Sequence, residues 1–197
     1  TCLGALNAVG PEDIPAGFLA SARHLHHGSY FLHTRLRPHI PQIFRQARAL
    51  GLTVSLDTNW DPDETWGSGL SDLFPLVDVF FPNEQEALRI SQQDRPEEAG
   101  KWLAAAGIQV VVIKRGEQGA LLVTRSETIP CQVVPAEPGG DGIGAGDSFD
   151  AGFLAGWLRG LPLETCLKIA CQCGRAVAGA IGGTRGQLSF SEVFGSR

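Results

Sequence analysis

Strand-length apolar runs alternate with amphipathic helical runs along most of this chain. Helical sequence at residues 38–50 precedes an apolar run at 52–57, and helical sequence at 96–106 precedes another at 108–114. Two parallel strands need a long connection, usually a helix, so this alternation favours a parallel sheet covered by helices. We therefore predict a three-layer α/β/α Rossmann-like sandwich with a mostly parallel sheet, built as a single domain over residues 1–197.

The bounds of the predicted elements follow from glycine and proline signals at their ends. Strands are predicted at residues 24–32, 52–57, 77–81, 108–114, 119–124 and 128–134, the last two as an antiparallel pair. Helices are predicted at residues 38–50, 84–90, 96–106, 148–159 and 163–181.

Charge and hydropathy limit what the chain can bind. The sequence has 16 Lys and Arg against 21 Asp and Glu, and it lacks the basic clusters that a nucleic-acid surface needs. The apolar runs are too short to span a bilayer, and we expect no secretory signal. We therefore expect a cytoplasmic protein that acts on a small molecule, with no nucleic-acid or membrane partner.

Cysteine and methionine usage adds two expectations. One residue separates Cys171 from Cys173, whereas redox and zinc pairs usually have two residues between them, so we predict buried free thiols. The sequence contains no methionine, even at position 1. We expect that an N-terminal portion precedes Thr1.

A glycine-rich turn runs into a helix at residues 141–149, Asp-Gly-Ile-Gly-Ala-Gly-Asp-Ser-Phe. Apolar residues at helical spacing follow it, so Asp147 or Ser148 is the predicted N-cap. The amides of Gly144, Ala145 and Gly146 would then lie at the positive end of the helix, where they favour a phosphate. Asp147 would stand beside them as a base for a bound hydroxyl, which is the arrangement that phosphoryl transfer needs.

Other motifs explain this turn less well. Its glycines are too close together for a dinucleotide-binding fingerprint, and the chain has no Walker A sequence. A plain helix N-cap would also select an aspartate at position 147.

Three more polar clusters directly follow predicted strands. Asp57 and Asn59 follow the second strand, Asn83 and Glu86 follow the third, and the segment 114–119 follows the fourth. The carboxyl ends of the strands in an open α/β sheet line one ligand crevice, so we expect these clusters to lie near the glycine-rich turn.

Simpler interpretations stay open for several polar residues. Asn83 and Glu86 match a capping box, and Lys114 matches a solvent-facing charge at a strand end. Trp60 and Trp66 could stack on a ligand or pack their own loop. The histidines are expected to be structural or surface residues, because no cysteine or carboxylate completes a metal site with them. They are His24, His26, His27, His33 and His39.

Residues 141–154 closely resemble the C-terminal signature of the ribokinase-like carbohydrate kinases, also called the phosphofructokinase B family. That signature runs Asp-Thr-Thr-Gly-Ala-Gly-Asp-Ser-Phe into a small-residue helix. Asn83-x-x-Glu86 resembles the family's Asn-x-x-Glu motif, and the Lys-x-Gly-x-x-Gly sequence at 114–119 resembles its nucleotide-contacting turn. The resemblance covers the chain as roughly the C-terminal two-thirds of a member. It implies a ribokinase-like fold without its N-terminal strands and without the β lid that often makes a homodimer.

The resemblance also implies roles for the matching residues. Asp147 would remove a proton from a sugar hydroxyl, and Gly144, Ala145 and Gly146 would form the anion hole for the transferred phosphoryl group. Glu86 and Asn83 would organise Mg²⁺, its waters and the phosphates. The residues implied to contact or border ATP are Asn83, Lys114, Arg115, Gly116, Gly119, Cys171 and Gly174.

The chain departs from the family signature at several positions. Gly142 and Ile143 replace its two threonines, which removes a hydroxyl and keeps the amides. Asp141 is retained, and its equivalent binds a monovalent cation in many relatives, so the resemblance raises a K⁺ site as an open hypothesis. Cys171 stands where many relatives carry an asparagine.

The substrate is indicated less closely. Asp57-x-Asn59 and Gly182-Gly-Thr184 resemble sugar-acid and related sugar kinases, which implies that Asp57 and Asn59 contact the substrate. The sugar-acid kinases carry an arginine soon after their Asp-x-Asn motif, whereas this chain has Trp60 and Asp61 there. This difference weakens the case for a sugar-acid substrate.

These observations lead us to expect ATP- and Mg²⁺-dependent phosphorylation of a hydroxyl of a small sugar or related compound. The alternative is a catalytically impaired module of the same fold that binds a nucleotide without turnover, because the missing N-terminal part would supply most sugar contacts. A third hypothesis is a nucleotide-dependent oxidoreductase.

Overall fold

A computed structural model describes residues 4–15, 17–136 and 139–195. Its strands are β1 (His24–His27), β2 (Thr53–Leu56), β3 (Val79–Phe80), β4 (Val110–Lys114), β5 (Ala120–Val123) and β6 (Thr128–Cys131), in that order in the sheet. Its α-helices are α1 (Ile40–Ala49), α2 (Glu84–Ser91), α3 (Pro96–Ala105), α4 (Ala145–Trp157), α5 (Leu163–Ala178) and α6 (Phe190–Phe194). None of these helices is long and apolar enough to cross a membrane.

The strands β1 to β4 pair in parallel, each with the next along the chain. His24 lies opposite Thr53, Ser55 opposite Val79, and Val79 in turn opposite Val110. The apolar side chains of β2, β3 and β4 are buried, as parallel strands with covered faces require. The predicted α/β architecture with a mostly parallel sheet is confirmed.

The chain divides into two compact units, which we describe separately. The first unit comprises Thr1–Ile113 and Val123–Thr128, and the second comprises Lys114–Leu122 and Ile129–Arg197. The single-domain organisation stays a prediction.

The first unit contains an amphipathic helix and an ion pair whose carboxylate is buried. In α1, Ile40, Phe44 and Ala47 recur at helical spacing and are buried, which gives this helix one apolar face. The Nη1 of Arg48 lies 2.9 Å from both carboxylate oxygens of Asp78, which is 4% exposed. Asp78 thus links α1 to the start of β3.

The first predicted strand is too long. β1 ends at His27, and Tyr30–Leu32 form a 3₁₀ turn after Ser29, which takes a left-handed conformation with φ 58°. The amides of Tyr30 and Phe31 donate to the carbonyls of Asp57 and Thr58. The apolar run continues past β1 because three consecutive side chains of this turn are buried, not because the strand continues.

The second unit is built around α4 and α5. An ideal Cβ at Gly152 would lie 2.8 Å from Cys173 Sγ, so glycine is what allows α4 to approach α5 this closely. Cys166, Cys171 and Cys173 of α5 are buried free thiols, as predicted, and Cys131 is a half-buried free thiol. Cys2 lies outside the described residues.

The histidines of the first unit predict an acid-sensitive fold. Burial lowers the pKa of His24 to about 4 and the pKa of His27 to about 3, and it also lowers the pKa of His33. These groups are neutral in the folded chain, whereas the unfolded chain binds protons near pH 6.5. Their contribution to stability is therefore complete above about pH 6.5 and is lost as the pH falls toward the folded pKa values.

We expect His27→Phe to weaken this acid sensitivity. His27 Nε2 is buried and has no hydrogen-bond partner among the described residues, and the ring packs against Tyr30 and Phe44. Phenylalanine keeps the packing and cannot bind a proton. Urea unfolding at pH 7.5 and pH 5 would measure the effect, with the exposed His39→Gln as control. An equal loss of stability in wild type and His27→Phe would contradict the prediction.

Candidate active site

The helix α4 begins earlier than the sequence predicts. Gly144 is its N-cap with φ 77°, so Asp147 is the third residue of the helix, and the prediction of Asp147 or Ser148 as the cap is wrong. A Cβ at Gly144 would clash with the carbonyl of Gly183, so this turn requires glycine for both space and conformation. The early start moves Asp147 from the edge of the helix into its first turn.

Backbone amides point out of this first turn. The Ala145 amide donates to Gly142 O at 3.2 Å, so of the three amides predicted for the anion hole this one is engaged. The amides of Gly144, Gly146 and Asp147 have no hydrogen-bond partner among the described residues. Unpaired amides at the positive end of a helix form a site for an anion.

The carboxylate of Asp147 is exposed beside these amides. It accepts no hydrogen bond from any residue that the structure describes. Together with Ser148 and Gln187, Asp147 lines a cleft on the side of α4 that faces the chain before α6. The buried Ser148 Oγ likewise has no partner within the described part of the chain. An exposed carboxylate without an intramolecular partner is available to accept a proton.

Asp141 anchors the glycine-rich turn to the loop after α5. Its two carboxylate oxygens accept the amides of Ile143 at 3.0 Å and Gly182 at 2.9 Å, and its own amide donates to Ala180 O. The hydrogen bonds from Gly182 and Ile143 lower the pKa of Asp141. The turn is therefore fixed at its start by an ionised carboxylate.

Lys114 is not a solvent-facing charge. Its Nζ lies 3.2 and 3.4 Å from the two carboxylate oxygens of Asp150, and the two side chains are 15% and 3% exposed. An ideal Cβ at Gly146 would lie 3.7 Å from the same Nζ. The ammonium group is therefore held next to the first turn of α4, paired with Asp150, which lies about one helical turn after Asp147.

Asp150 and its role were not predicted from the sequence. A charged residue between Phe149 and Phe153, on an otherwise apolar face of α4, was the available signal. Such a residue needs a partner of opposite charge when it is buried.

A cavity in the second unit brings two of the predicted clusters together. We call it the α4–α5 cavity, because Phe149 of α4 and Cys171 of α5 lie on its walls. Of the predicted residues, those that line it are Lys114, Gly116, Gly119, Ala145, Gly146, Cys171 and Gly174. Arg115 does not line it, and its guanidinium donates to Gln118 Oε1 at 2.8 Å.

Part of the cavity wall was missed by the sequence analysis. The segment 133–136, predicted in part as strand, leaves the ladder after Cys131 and lines the cavity together with Arg175. Arg175 Nε donates to Pro135 O at 3.3 Å and so joins α5 to this segment.

In the first unit, Asn83 and Glu86 form the capping box at the start of α2. The Asn83 side chain accepts the Glu86 amide at 2.9 Å, and the Glu86 carboxylate accepts the Asn83 amide at 2.9 Å and Asn83 Nδ2 at 2.6 Å. Glu86 is 4% exposed. The capping interpretation is confirmed, and the metal-binding role stays a prediction.

The loop after β2 is organised by carboxylates. Asp57 accepts the Asn59 amide at 2.8 Å, and the fully buried Asp61 accepts the amides of Asp63, Thr65 and Trp66. Trp60 packs edge-on against Trp66, whose ring also contacts Phe31. The tryptophans pack the loop, while substrate contacts by Asp57 and Asn59 stay a prediction.

The described residues contain no group of three or more His, Cys, Asp or Glu side chains that could hold a metal ion.

Comparison with known protein families identifies the family of this chain. Residues 1–189 match the model of the pfkB family carbohydrate kinases. The chain belongs to this family. This match confirms the family resemblance of residues 141–154 and extends it over almost the whole sequence.

Relatives of this pfkB chain carry several kinase names. It is 34% identical over 183 residues to the ATP-dependent ribose-1-phosphate kinase of Halopiger xanaduensis, covering 91% of this chain and 56% of the relative. It is 38% identical over 109 residues to the cytidine kinase of Thermococcus kodakarensis, covering 55% of this chain and 39% of that protein. The chain thus spans about half the length of these relatives or less.

Solved structures show the same fold for this pfkB chain. A protein described as a probable sugar kinase from Rhizobium etli matches with a TM-score of 0.81 at 29% identity, over 98% of this chain and 57% of that one. A protein assigned as a Ribokinase II from E. coli, solved with ATP and Mg²⁺, matches with a TM-score of 0.82 at 25% identity, over 95% and 62%. The ribokinase-like fold is therefore confirmed.

Proposed function

We propose that this protein transfers the γ-phosphoryl group of ATP to a hydroxyl of a small sugar or nucleoside-like compound in the cytoplasm. The observation that carries the proposal is the first turn of α4, where an exposed carboxylate stands beside unpaired amides and a held ammonium group. The family to which the chain belongs supports it, since its members are carbohydrate kinases.

ATP would occupy the α4–α5 cavity with its phosphates at the first turn of α4. The amides of Gly144 and Gly146 and the ammonium of Lys114 lie at that end. The apolar side chains of Val133, Val134 and other lining residues would receive the base. Gly116 and Gly119 form the turn after β4 that borders this cavity, where the ribose and phosphates would pass.

Asp147 would act as the general base. It would take the proton of the acceptor hydroxyl as that oxygen bonds to the γ-phosphorus and the bond to the β–γ bridging oxygen breaks, releasing ADP. The amides of the first turn would stabilise the negative charge on the transferred group. No other group is needed to accept the proton.

Glu86 and Asn83 would hold Mg²⁺ through its waters. A carboxylate offers about four lone-pair sites, and Asn83 donates to one site on each oxygen of Glu86, which orients the group. The donor set is all oxygen and therefore fits this ion. When bound, Mg²⁺ would neutralise charge on the ATP phosphates.

The proposal also assigns a monovalent cation, K⁺, to the turn that Asp141 anchors. Asp141 is ionised there and lies against the backbone of the loop after α5. Asp57 and Asn59 are proposed to contact the acceptor. The names of the two relatives suggest the acceptors to try: cytidine and ribose 1-phosphate.

The test is ADP release by the 197-residue chain with ATP and Mg²⁺, measured against a panel of these acceptors and free ribose. ADP release that depends on one acceptor would support the proposal and name the substrate. Saturable ATP binding without ADP release from any acceptor would favour the nucleotide-binding module. A chain that neither binds nor hydrolyses ATP would contradict both.

A further inference from the structure

Two buried imidazole nitrogens in the first unit have no hydrogen-bond partner among the described residues. They are His27 Nε2, at the end of β1, and His33 Nδ1, directly after the 3₁₀ turn Tyr30–Leu32. Buried polar side-chain atoms are nearly always hydrogen-bonded, because leaving one unpaired is costly. Two such atoms in neighbouring rings therefore point to a ligand that both rings can bind.

The two rings are spaced for a shared metal ion. Their centroids lie 5.1 Å apart, and their planes are tilted by 49°. Two imidazoles that coordinate one tetrahedral ion through nitrogens at about 2.0–2.1 Å have ring centroids about 5 Å apart. The rings do not hydrogen-bond each other through these nitrogens, since neither atom has a partner within the described part of the chain. The observed spacing suits an ion bound between them.

Both imidazoles are in the protonation state that binds a metal. Burial, followed by the charges of His33 and His26, lowers the pKa of His27 to about 3, whereas the charge of Asp57 acts the other way. Burial also lowers the pKa of His33, against a hydrogen bond to the backbone of Gly28. Both rings are therefore neutral near pH 7, and the neutral imidazole is the form that coordinates metals.

The main chain holds both histidines in place. The carbonyl of His27 accepts the Asp57 amide at 2.9 Å, and the carbonyl of His33 accepts the Arg37 amide at 2.7 Å. The ring of His27 also packs edge-on against Tyr30. Ligands that are already positioned lose less conformational freedom when they bind an ion.

The chemistry of the two donors selects the class of ion. Imidazole nitrogen suits Zn²⁺, Cu²⁺ and Ni²⁺, whereas Mg²⁺ prefers oxygen ligands. In the part of the chain that the structure describes, no third His, Cys, Asp or Glu completes a metal-binding group with these two histidines. Water would therefore fill the other coordination positions, and the partly exposed His33 gives it a route to the ion.

We infer that His27 Nε2 and His33 Nδ1 together bind one Zn²⁺ or a similar divalent ion, with water as the remaining ligands. The bound ion joins β1 to the 3₁₀ turn, whose Tyr30 and Phe31 amides donate to the loop after β2. It therefore stabilises the first unit. The inference does not depend on the proposed function.

Zinc titration of the 197-residue chain at pH 7.5 tests the inference, after treatment with a chelator. Long-range ¹H–¹⁵N NMR spectra report on the imidazole nitrogens of each histidine separately. The signals of His27 and His33 are expected to shift together in one saturable step, and Mg²⁺ at the same concentration is expected to move neither. The absence of saturable Zn²⁺ binding would overturn the inference. Shifts confined to His24 and His26 would overturn it as well.

Variants connect binding to the two rings. His33→Gln is expected to weaken Zn²⁺ binding by about tenfold or more, since loss of a ligand costs at least as much as loss of a group that supports one. The same change at the exposed His39 is the matched control and is expected to leave binding unchanged. His27→Phe removes the other ligand and serves as a second variant. Equal Zn²⁺ affinity in wild type and both site variants would overturn the inference.

Stability gives an independent measurement. Zn²⁺ is expected to raise the urea midpoint of wild type and of His39→Gln, because a ligand that binds the folded chain stabilises it. It is expected to leave the midpoint of His33→Gln nearly unchanged at the same concentration. An equal rise in His33→Gln would place the ion elsewhere and overturn the assignment.

Discussion

Replacing Asp147 by asparagine is expected to lower kcat by about 10²–10⁴-fold, the usual contribution of a positioned general base. Asparagine has nearly the same shape and keeps the backbone amides of the first turn of α4, but it cannot take the proton of the acceptor hydroxyl. The carboxylate accepts no hydrogen bond from a described residue, so its loss breaks no hydrogen bond within the described part of the chain. ATP binding should therefore change little.

Steady-state ADP release gives kcat, and displacement of a fluorescent ATP analogue gives the affinity for the donor. Glu164→Gln is the matched control, because Glu164 is also an exposed acid in the first turn of a helix. It is expected to leave kcat unchanged. A wild-type kcat in Asp147→Asn would remove Asp147 from the role of base.

Replacing Asp78 by alanine is expected to lower the free energy of unfolding by about 2 kcal/mol, chiefly because the buried amide of Val54 loses its acceptor. Asp78 accepts Arg48 Nη1 on both oxygens at 2.9 Å and the Val54 amide at 2.7 Å, and it is 4% exposed. The substitution leaves an amide in the buried strand β2 without this acceptor, and a buried donor left unpaired is costly.

Urea unfolding at neutral pH measures this loss. Arg95→Ala is the control, because the pair between Arg95 and Glu97 is 3.8 Å long and its side chains are 67% and 37% exposed. Such a surface pair is expected to contribute less than about 0.5 kcal/mol. Equal changes in the two variants would mean that burial of Asp78 does not set its contribution.

The sequence predicts the sheet well because the buried strands appear in it as continuous apolar runs. β2, β3 and β4 lie within the apolar runs predicted for them, and parallel strands are apolar on both faces. β1 was predicted too long for the same reason, since an apolar run cannot distinguish a strand from a buried 3₁₀ turn. Local hydropathy reports burial more directly than it reports backbone conformation.

The candidate site could be predicted only where its chemistry is local. The turn at 141–149 and the capping box of Asn83 and Glu86 are contiguous motifs, and both occur where predicted. The sequence does not show that α4 begins at Gly144, because glycines at 142, 144 and 146 are all compatible with the turn. The contact that requires glycine at 144 is with Gly183, a residue distant in the sequence. The role of Asp150 could not be predicted from the local sequence, because its partner Lys114 is 36 residues away.

The close contact of Gly152 with Cys173 also restricts which substitutions the chain can accumulate. An added Cβ would lie 2.8 Å from the sulfur, 3.0 Å from the Cys173 Cβ and 3.2 Å from the Ala170 Cα, so a larger residue at 152 would push α4 and α5 apart even with a smaller side chain at 173. A side chain larger than cysteine at 173 would press on the helix that carries Asp147. Mutational tolerance at a buried thiol on one helix is thereby coupled to the placement, on another helix, of the carboxylate that we propose as the base.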